Sequence, residues 1–180
     1  MSALRVLGVS GSPRRGGNTE CAVCAALRVL HDGGHEVQFQ RLVDHRIERC
    51  AGCRRCMTEH TCAIADDDLA AALAPWLAAD VVVLGSPVYW LSPPGVLKDF
   101  MDRTHGWYAL GKLFEGKRAA LISVAADSGF ESHDTAILGW LRYYGATIAG
   151  TARVLARDKG DLEARSEELA KVVALARGLL

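Results

Sequence analysis

Several things are missing from this 180-residue chain, and each absence excludes a class of protein. Neither sign of charge prevails, since 21 lysines and arginines face 21 aspartates and glutamates. With no net positive charge and no long basic run, nucleic acid and anionic membrane surfaces are not expected partners. Long unbroken apolar runs are missing as well. The most apolar window, 70–91, carries Pro75, Asp80, Gly85 and Pro87, which a membrane-spanning helix would not tolerate well. At the N-terminus there is no charged stretch followed by an apolar one and a cleavage site, so no secretory signal is visible and a cytoplasmic location is expected. No internal repeat, linker or low-complexity segment is evident. What remains is half apolar and 23% charged, the composition of an ordinary globular domain, and its length fits one domain spanning 1–180.

Apolar runs of strand length recur at Leu4–Ser10, Glu36–Val43, Asp80–Ser86, Arg118–Ala125 and Thr147–Ala156, separated by segments of helical period. That alternation is the signature of a parallel sheet covered on both faces. Asn18–His31 places Val23, Leu27 and Leu30 on one face and stops at Gly33-Gly34. Asp66-Asp67-Asp68 puts negative charge at the start of a second helix, which Pro75 should kink or end early. Further apolar stripes are Val96/Leu97/Phe100/Met101, Ile137/Leu138/Leu141 and Leu162/Leu169/Val172/Val173/Ala176. Five strands and five helices predict an α/β doubly wound sheet, order 2-1-3-4-5, with helices on both faces. Ligands of such sheets sit beyond the carboxyl ends of the strands, where strands 1 and 3 part. Three loops therefore matter, at Ser10–Thr19, Ser86–Pro94 and Ala125–Ser132.

The first loop reads Ser-Gly-Ser-Pro-Arg-Arg-Gly-Gly-Asn-Thr into a helix. Backbone N–H groups at a helix start, hydroxyls and close-wrapping glycines suit a phosphate. Other motifs fail: Gly8-x-Ser10-x-Ser12 lacks the second glycine of a nucleophile elbow and shows no matching His/Asp arrangement. Gly11-x4-Gly16-Gly17-Asn18 lacks the lysine and hydroxyl of a P-loop, and the dinucleotide fingerprint is absent. A plainer reading makes Asn18 or Thr19 a helix cap. The second loop, Gly-Ser-Pro-Val-Tyr-Trp-Leu-Ser-Pro-Pro, offers a stiff aromatic surface for a planar ring, unless Tyr89 and Trp90 are core or subunit-contact residues. A phosphate at one loop and a flat ring at the other describe flavin mononucleotide, FMN. The candidate binding residues are Ser10, Ser12, Pro13, Arg14, Gly17, Asn18 and Thr19 in the first loop, Ser86, Pro87, Val88, Tyr89 and Trp90 in the second, and Ala125 and Gly129 in the third.

These two loops, with Leu97-Lys98-Asp99-Phe100-Met101-Asp102-Arg103 behind them, resemble the flavodoxin-fold NAD(P)H-dependent FMN reductases over essentially the whole chain. The resemblance implies that Ser10, Ser12, Arg14, Asn18 and Thr19 hold the phosphate and that Pro87 to Trp90 line the isoalloxazine. It implies flavin-borne chemistry with no catalytic side chain, NADH or NADPH as donor, and a small acceptor such as a quinone, azo or nitro compound. It also implies a homodimer or homotetramer, with Trp107, Tyr108 and Phe114 available for a subunit contact.

Four of six cysteines fall within thirteen residues, Cys50-x2-Cys53-x2-Cys56-x5-Cys62, in a loop at 44–65 between strand 2 and helix 2. Zinc sites usually separate two such arms by a longer insertion, whereas close C-x2-C steps suit an iron–sulfur cluster. The run resembles the cysteine motif of iron–sulfur flavoproteins, including the acidic pair Asp66-Asp67 after it, which implies a four-iron cluster and a ferredoxin-like redox partner. Free thiols in a structural or redox-active loop are the alternative. Arg46, Arg49, Arg54 and Arg55 crowd this loop and would favour thiolates, attract the extra phosphate of NADPH, or form a solvated face. Cys21 and Cys24 read as packing residues. The six histidines show no metal-ligand spacing, and Asp127 and His133 read as surface loop residues.

Overall fold

A computed structural model describes residues 3–180, apart from the side chains of 108–110. Five parallel strands, β1 (Arg5–Ser10), β2 (Glu36–Arg41), β3 (Val81–Pro87), β4 (Arg118–Ala125) and β5 (Thr147–Leu155), form one sheet in the order β2-β1-β3-β4-β5. The helices are α1 (Asn18–Asp32), α2 (Cys56–Glu59), α3 (Leu69–Ala78), α4 (Gly95–Arg103), α5 (Phe130–Tyr143) and α6 (Ser166–Arg177). The expected topology is present, with one short helix more than the periodicity announced.

Alternation along the central strands divides the interior in two. Leu7, Val9, Val82, Leu84, Ala119 and Leu121 face α3, α4 and α5. Val6, Val81, Val83, Ala120, Ile122 and Val124 face α1 and α6. Both sides being apolar, β3 is buried from end to end, as a parallel strand covered by helices must be. On the α3–α5 side, Trp76, Phe100, Phe114, Trp140 and Tyr144 pack in one aromatic cluster, with Trp76 5.1 Å from Phe100 and 5.7 Å from Phe114 between centroids. Phe114, expected at a subunit contact, is therefore a core residue. Trp107 is half-buried against the same core, and the Tyr108 side chain lies outside the described residues.

Where strand meets helix most closely, only glycine fits. A Cβ on Gly8 would lie 2.6 Å from Leu27 Cδ1 and 2.8 Å from Val23 Cγ1. Gly8→Ala is accordingly expected to lower stability by about 1–3 kcal/mol, the cost of overpacking, read as a lower urea midpoint at unchanged slope.

Some boundaries differ from the expected ones for identifiable reasons. The apolar Leu42 and Val43 leave β2 for a 3₁₀ turn, Leu42–Asp44, which tucks Leu42 into the core. The second long helix starts at Leu69 and not at the aspartates, because those carboxylates accept bonds elsewhere. Asp68 takes the Arg46 N–H at 2.8 Å, and Asp67 the N–H groups of Glu48 at 2.9 Å and Leu69 at 3.2 Å. Pro75 neither ends α3 at once nor stands inside a long one, for three further residues follow before the helix stops. Among the described residues no helix is long and apolar enough to cross a membrane.

Candidate functional site

At the carboxyl ends of β1, β3, β4 and β5, four loops enclose a cleft of about 260 Å³. The first contributes Ser12, Arg14, Gly17, Asn18 and Thr19, the second Pro87, Val88 and Tyr89, and β4 with its following loop Val124 and Ala126. The loop after β5 supplies Ala156, Arg157, Asp158 and Lys159, none of which stood out in the sequence. The outer strand lies two places from the switch point, and its loop is aimed at the cleft only by contacts remote in sequence.

The decisive contact is Asn18. Its Nδ2 donates to the Asp158 carbonyl at 2.7 Å, and its Oδ1 accepts from the Leu162 N–H at 3.2 Å, across 140 residues or more. Its side chain therefore pins two walls together and is not aimed at a ligand. The helix-cap reading fails too, since the N-cap of α1 is Gly17 and no side chain caps it. That leaves first-turn N–H groups of α1 at the cleft with the partial positive charge of a helix start. Ser12 Oγ accepts from Arg14 N at 3.1 Å and its hydroxyl keeps its proton to donate. Arg14 is exposed at the rim, while Lys159, bonded to the Arg15 carbonyl at 3.3 Å, adds a second cation. This end of the cleft suits a dianion, and the Pro87–Tyr89 end suits a flat apolar ring.

Six sequence candidates stand outside the cleft wall. Ser10 is buried at the end of β1, and Pro13 is exposed. Ala125 is buried and accepts from Ala156 N at 2.9 Å, closing the floor between β4 and β5. Gly129, at φ +91°, starts α5, where a Cβ would meet Leu91 Cδ2 at 2.7 Å. Trp90 is 98% exposed at the tip of a turn closed by Tyr89 and Ser92, whose central residues Trp90 and Leu91 both have positive φ. It is not among the residues that line the cleft. The N–H groups of Val88 and Tyr89 are committed to the Val124 and Ser92 carbonyls, so they do not face a ligand's heteroatoms.

Ser86 is the sixth, and it belongs to a buried chain. Its Oγ lies 2.8 Å from His133 Nε2, His133 Nδ1 lies 3.0 Å from Asp134 Oδ1, and Asp134 also accepts from Ser123 Oγ at 2.5 Å and Arg153 Nε at 2.7 Å. His133 is thus a core residue on α5 and not a surface loop residue. A Ser-His-Asp arrangement does exist in this fold, but on Ser86, with Ser86 and His133 fully buried. Burial works to raise the Asp134 pKa; the bonds from His133, Ser123 and Arg153 outweigh it and hold the carboxyl below its usual value. A depressed carboxylate stabilises the fold fully above the unfolded aspartate pKa, near about 4, and loses that contribution as pH falls through the folded value. Asp134→Asn is expected to flatten the acid side of the stability profile, measured as urea midpoint against pH, and to cost about 1–3 kcal/mol at neutral pH.

The cysteine segment lies along the α4 side. Cys50, Cys53, Cys56 and Cys62 all line one small cavity of about 60 Å³, walled also by Ile64, Arg103 and Gly106. Cys50 and Cys53 are exposed, Cys56 and Cys62 half-buried. Among the described residues, no three His, Cys, Asp or Glu side chains converge closely enough to hold a metal ion. Three of the four arginines crowding this loop are matched with carboxylates: Arg46 with Asp66 at 3.4 Å, Arg49 with Asp99 at 3.7 Å and Arg55 with Glu59 at 2.8 Å. Cys21 and Cys24 sit half-buried on α1, where burial pushes both thiols up in pKa and away from reactivity.

The segment is held by a buried ion pair that sequence reading missed. Arg103, at the end of α4, donates from NH1 to Asp67 Oδ2 at 2.6 Å and to the Glu48 carbonyl at 2.7 Å. From NH2 it donates to the Ile64 carbonyl at 3.0 Å and Asp67 Oδ1 at 3.4 Å. Both side chains are at most 2% exposed. Both ends of the cysteine loop are thereby tied to one guanidinium.

A doubly wound sheet with an uncapped helix start and an apolar wall at its switch point defines a flavodoxin-like mononucleotide-binding protein. The family described as NADPH-dependent FMN reductase matches residues 4–160, and the chain belongs to it. It is 41% identical over 101 residues to an iron–sulfur flavoprotein of Methanocaldococcus jannaschii, covering 56% of this chain and 52% of that one. To an iron–sulfur flavoprotein of Methanosarcina thermophila it is 30% identical over 149 residues, 82% of this chain and 78% of the relative. The chain thus spans about half the length of the first and over three quarters of the second. In fold it is similar to the NAD(P)H:quinone oxidoreductase from Methanothermobacter marburgensis, with a TM-score of 0.82 over 99% of this chain and 96% of that one at 20% identity.

Proposed function

We propose that this protein is an FMN-dependent oxidoreductase that takes a hydride from NADH or NADPH and delivers the two electrons, with protons, to a small acceptor such as a quinone, azo or nitro compound. The observation that carries this reading is the meeting, in one cleft, of an uncapped helix start flanked by cations and the rigid wall Pro87–Tyr89. FMN, when bound, supplies the hydride acceptance and electron release that no side chain here offers. The first-turn N–H groups of α1, the Ser12 hydroxyl and Arg14 would hold the phosphate, Asn18 would keep the opposite wall in place, and Pro87, Val88 and Tyr89 would orient the ring. The exposed turn Tyr89–Ser92 bears Trp90 and Leu91 outward, an apolar tip suited to the subunit contact of a homodimer or homotetramer.

A second cofactor is favoured by the cysteine cavity. Four sulfurs line it beside the apolar Ala51, Ala63 and Ile64 and the polar Arg54, Asp102 and His105, and its wall contains a buried N–H without a partner on Arg103. This chemistry fits an iron–sulfur cluster held by Cys50, Cys53, Cys56 and Cys62, in keeping with the names of the relatives. A cluster, when bound, supplies single-electron transfer. In that case the alternative role is electron transfer with a ferredoxin-like partner.

The test is anaerobic purification with the visible spectrum, iron and sulfide content, and NAD(P)H oxidation recorded together. Flavin uptake with NAD(P)H-dependent quinone reduction is expected. Flavin binding without NAD(P)H oxidation but with rapid reduction by ferredoxin would select the electron-transfer role, and no flavin binding would overturn both.

A further inference from the structure

The guanidinium of Arg103 carries five N–H donors, and the structure accounts for four. Both on NH1 and both on NH2 go to the Asp67 carboxylate and to the Glu48 and Ile64 carbonyls. The fifth, on Nε, is the one buried side-chain polar atom among the described residues that has no hydrogen-bond partner. Leaving such a donor dry costs about 1–3 kcal/mol, more for a charged group. Its neighbourhood suggests why it persists. Arg103 is 1% exposed and stands in the wall of the cavity that the four cysteines line. Cys62 packs on the turn that follows α4: a Cβ on Gly106, three residues beyond Arg103, would lie 3.6 Å from the Cys62 Cβ. A neutral thiol is a weak acceptor, which leaves the Nε–H poorly satisfied. A metal-bound thiolate carries charge and accepts strongly.

Resting on the iron–sulfur reading above, we propose that Arg103 is a positioning residue of the cluster site, its Nε–H donating to the Cys62 sulfur once that sulfur is an iron ligand. The same guanidinium ties Asp67, Glu48 and Ile64, so the bond fixes Cys62 relative to α4 while the other cysteines approach from a chain with fewer ties. A donor on a ligand sulfur stabilises the more negative, reduced state and raises the reduction potential. Lysine at this place keeps the charge but not the planar fork that serves the carboxylate and the sulfur at once.

The experiment is a potentiometric titration, followed by electron paramagnetic resonance, of the FMN-loaded full chain reconstituted with ferrous iron and sulfide. Arg103→Lys is expected to retain iron but to show, at any fixed potential, a reduced-to-oxidised ratio about tenfold below wild type, the worth of one charge-assisted bond. For one electron that is 59 mV toward the negative. Equal potentials in the two proteins would overturn the role of Arg103 and leave the cluster reading standing. A wild-type chain that takes up no iron and sulfide would overturn both. Should Arg103→Lys fail to fold, Arg103→Met combined with Asp67→Leu removes donor and carboxylate together without stranding a charge. An unchanged potential in that variant would likewise overturn the proposal, and a lowered one would support it.

Discussion

Asp67→Asn is expected to release the cysteine segment from the body of the protein. The carboxylate receives both terminal nitrogens of Arg103 and the N–H groups of Glu48 and Leu69, and removing its charge strands a guanidinium that water cannot reach. Breaking one partner of a buried pair costs about 3–5 kcal/mol, a large part of the total stability of a domain. The loss is local first, because the segment is tied to the sheet through these bonds. Faster hydrogen exchange at residues 46–68 should therefore precede any change in β3 or β4. Replacing both partners by apolar residues is expected to recover most of the global stability, which separates the cost of an orphaned charge from the value of the pair. For Asp67 burial pushes the pKa up, but the bonds from Arg103, Glu48 and Leu69 prevail and lower it. Its contribution is accordingly intact at neutral pH and disappears on acidification below about pH 4. An Asp67→Asn protein whose exchange pattern matched wild type would show that the segment is held by something else.

The second large effect concerns the cleft. Asn18→Ala removes two of the bonds that join the first loop to the segment after β5, leaving the one from Lys159 to the Arg15 carbonyl, and strands the N–H of buried Leu162 without an acceptor. A cost of about 1–3 kcal/mol per stranded group is expected in the urea midpoint, with FMN affinity falling about tenfold or more as Arg157–Lys159 drift from the phosphate end. Arg14→Ala separates the two effects. The side chain is exposed, so stability should stay within about 0.5 kcal/mol, while a charge-assisted bond to phosphate worth about 1.5–3 kcal/mol is lost. If Asn18→Ala kept full affinity and stability, the loop after β5 would not be part of the site.

How much of this could be read from the chain is a question of distance along it. The strands are legible because a parallel strand buried on both sides must be a continuous apolar run, and Val81–Leu84 and Ala119–Ile122 are such runs. The switch-point loops were legible because local composition, glycine with hydroxyls or prolines with aromatics, states what the backbone can do. Trp90 was misplaced since its identity says ring surface while its direction is set by a two-residue turn with positive φ. His133 reads from sequence as a surface loop residue, because its partner Ser86 lies 47 residues earlier. Asp67 looked like helix-dipole charge, its guanidinium partner being 36 residues on. Local chemistry reveals itself in sequence; pairings between remote polar groups require the fold.

The central claim is that the cleft holds a flavin by its phosphate. Its most direct test is a binding isotherm, by flavin fluorescence, for FMN and for riboflavin, which has the same ring and no phosphate. Saturation at one FMN per chain is expected, with riboflavin at least about 100-fold weaker, since several charge-assisted bonds of about 1.5–3 kcal/mol each are lost. Riboflavin binding as tightly as FMN, or FMN failing to saturate, would contradict it.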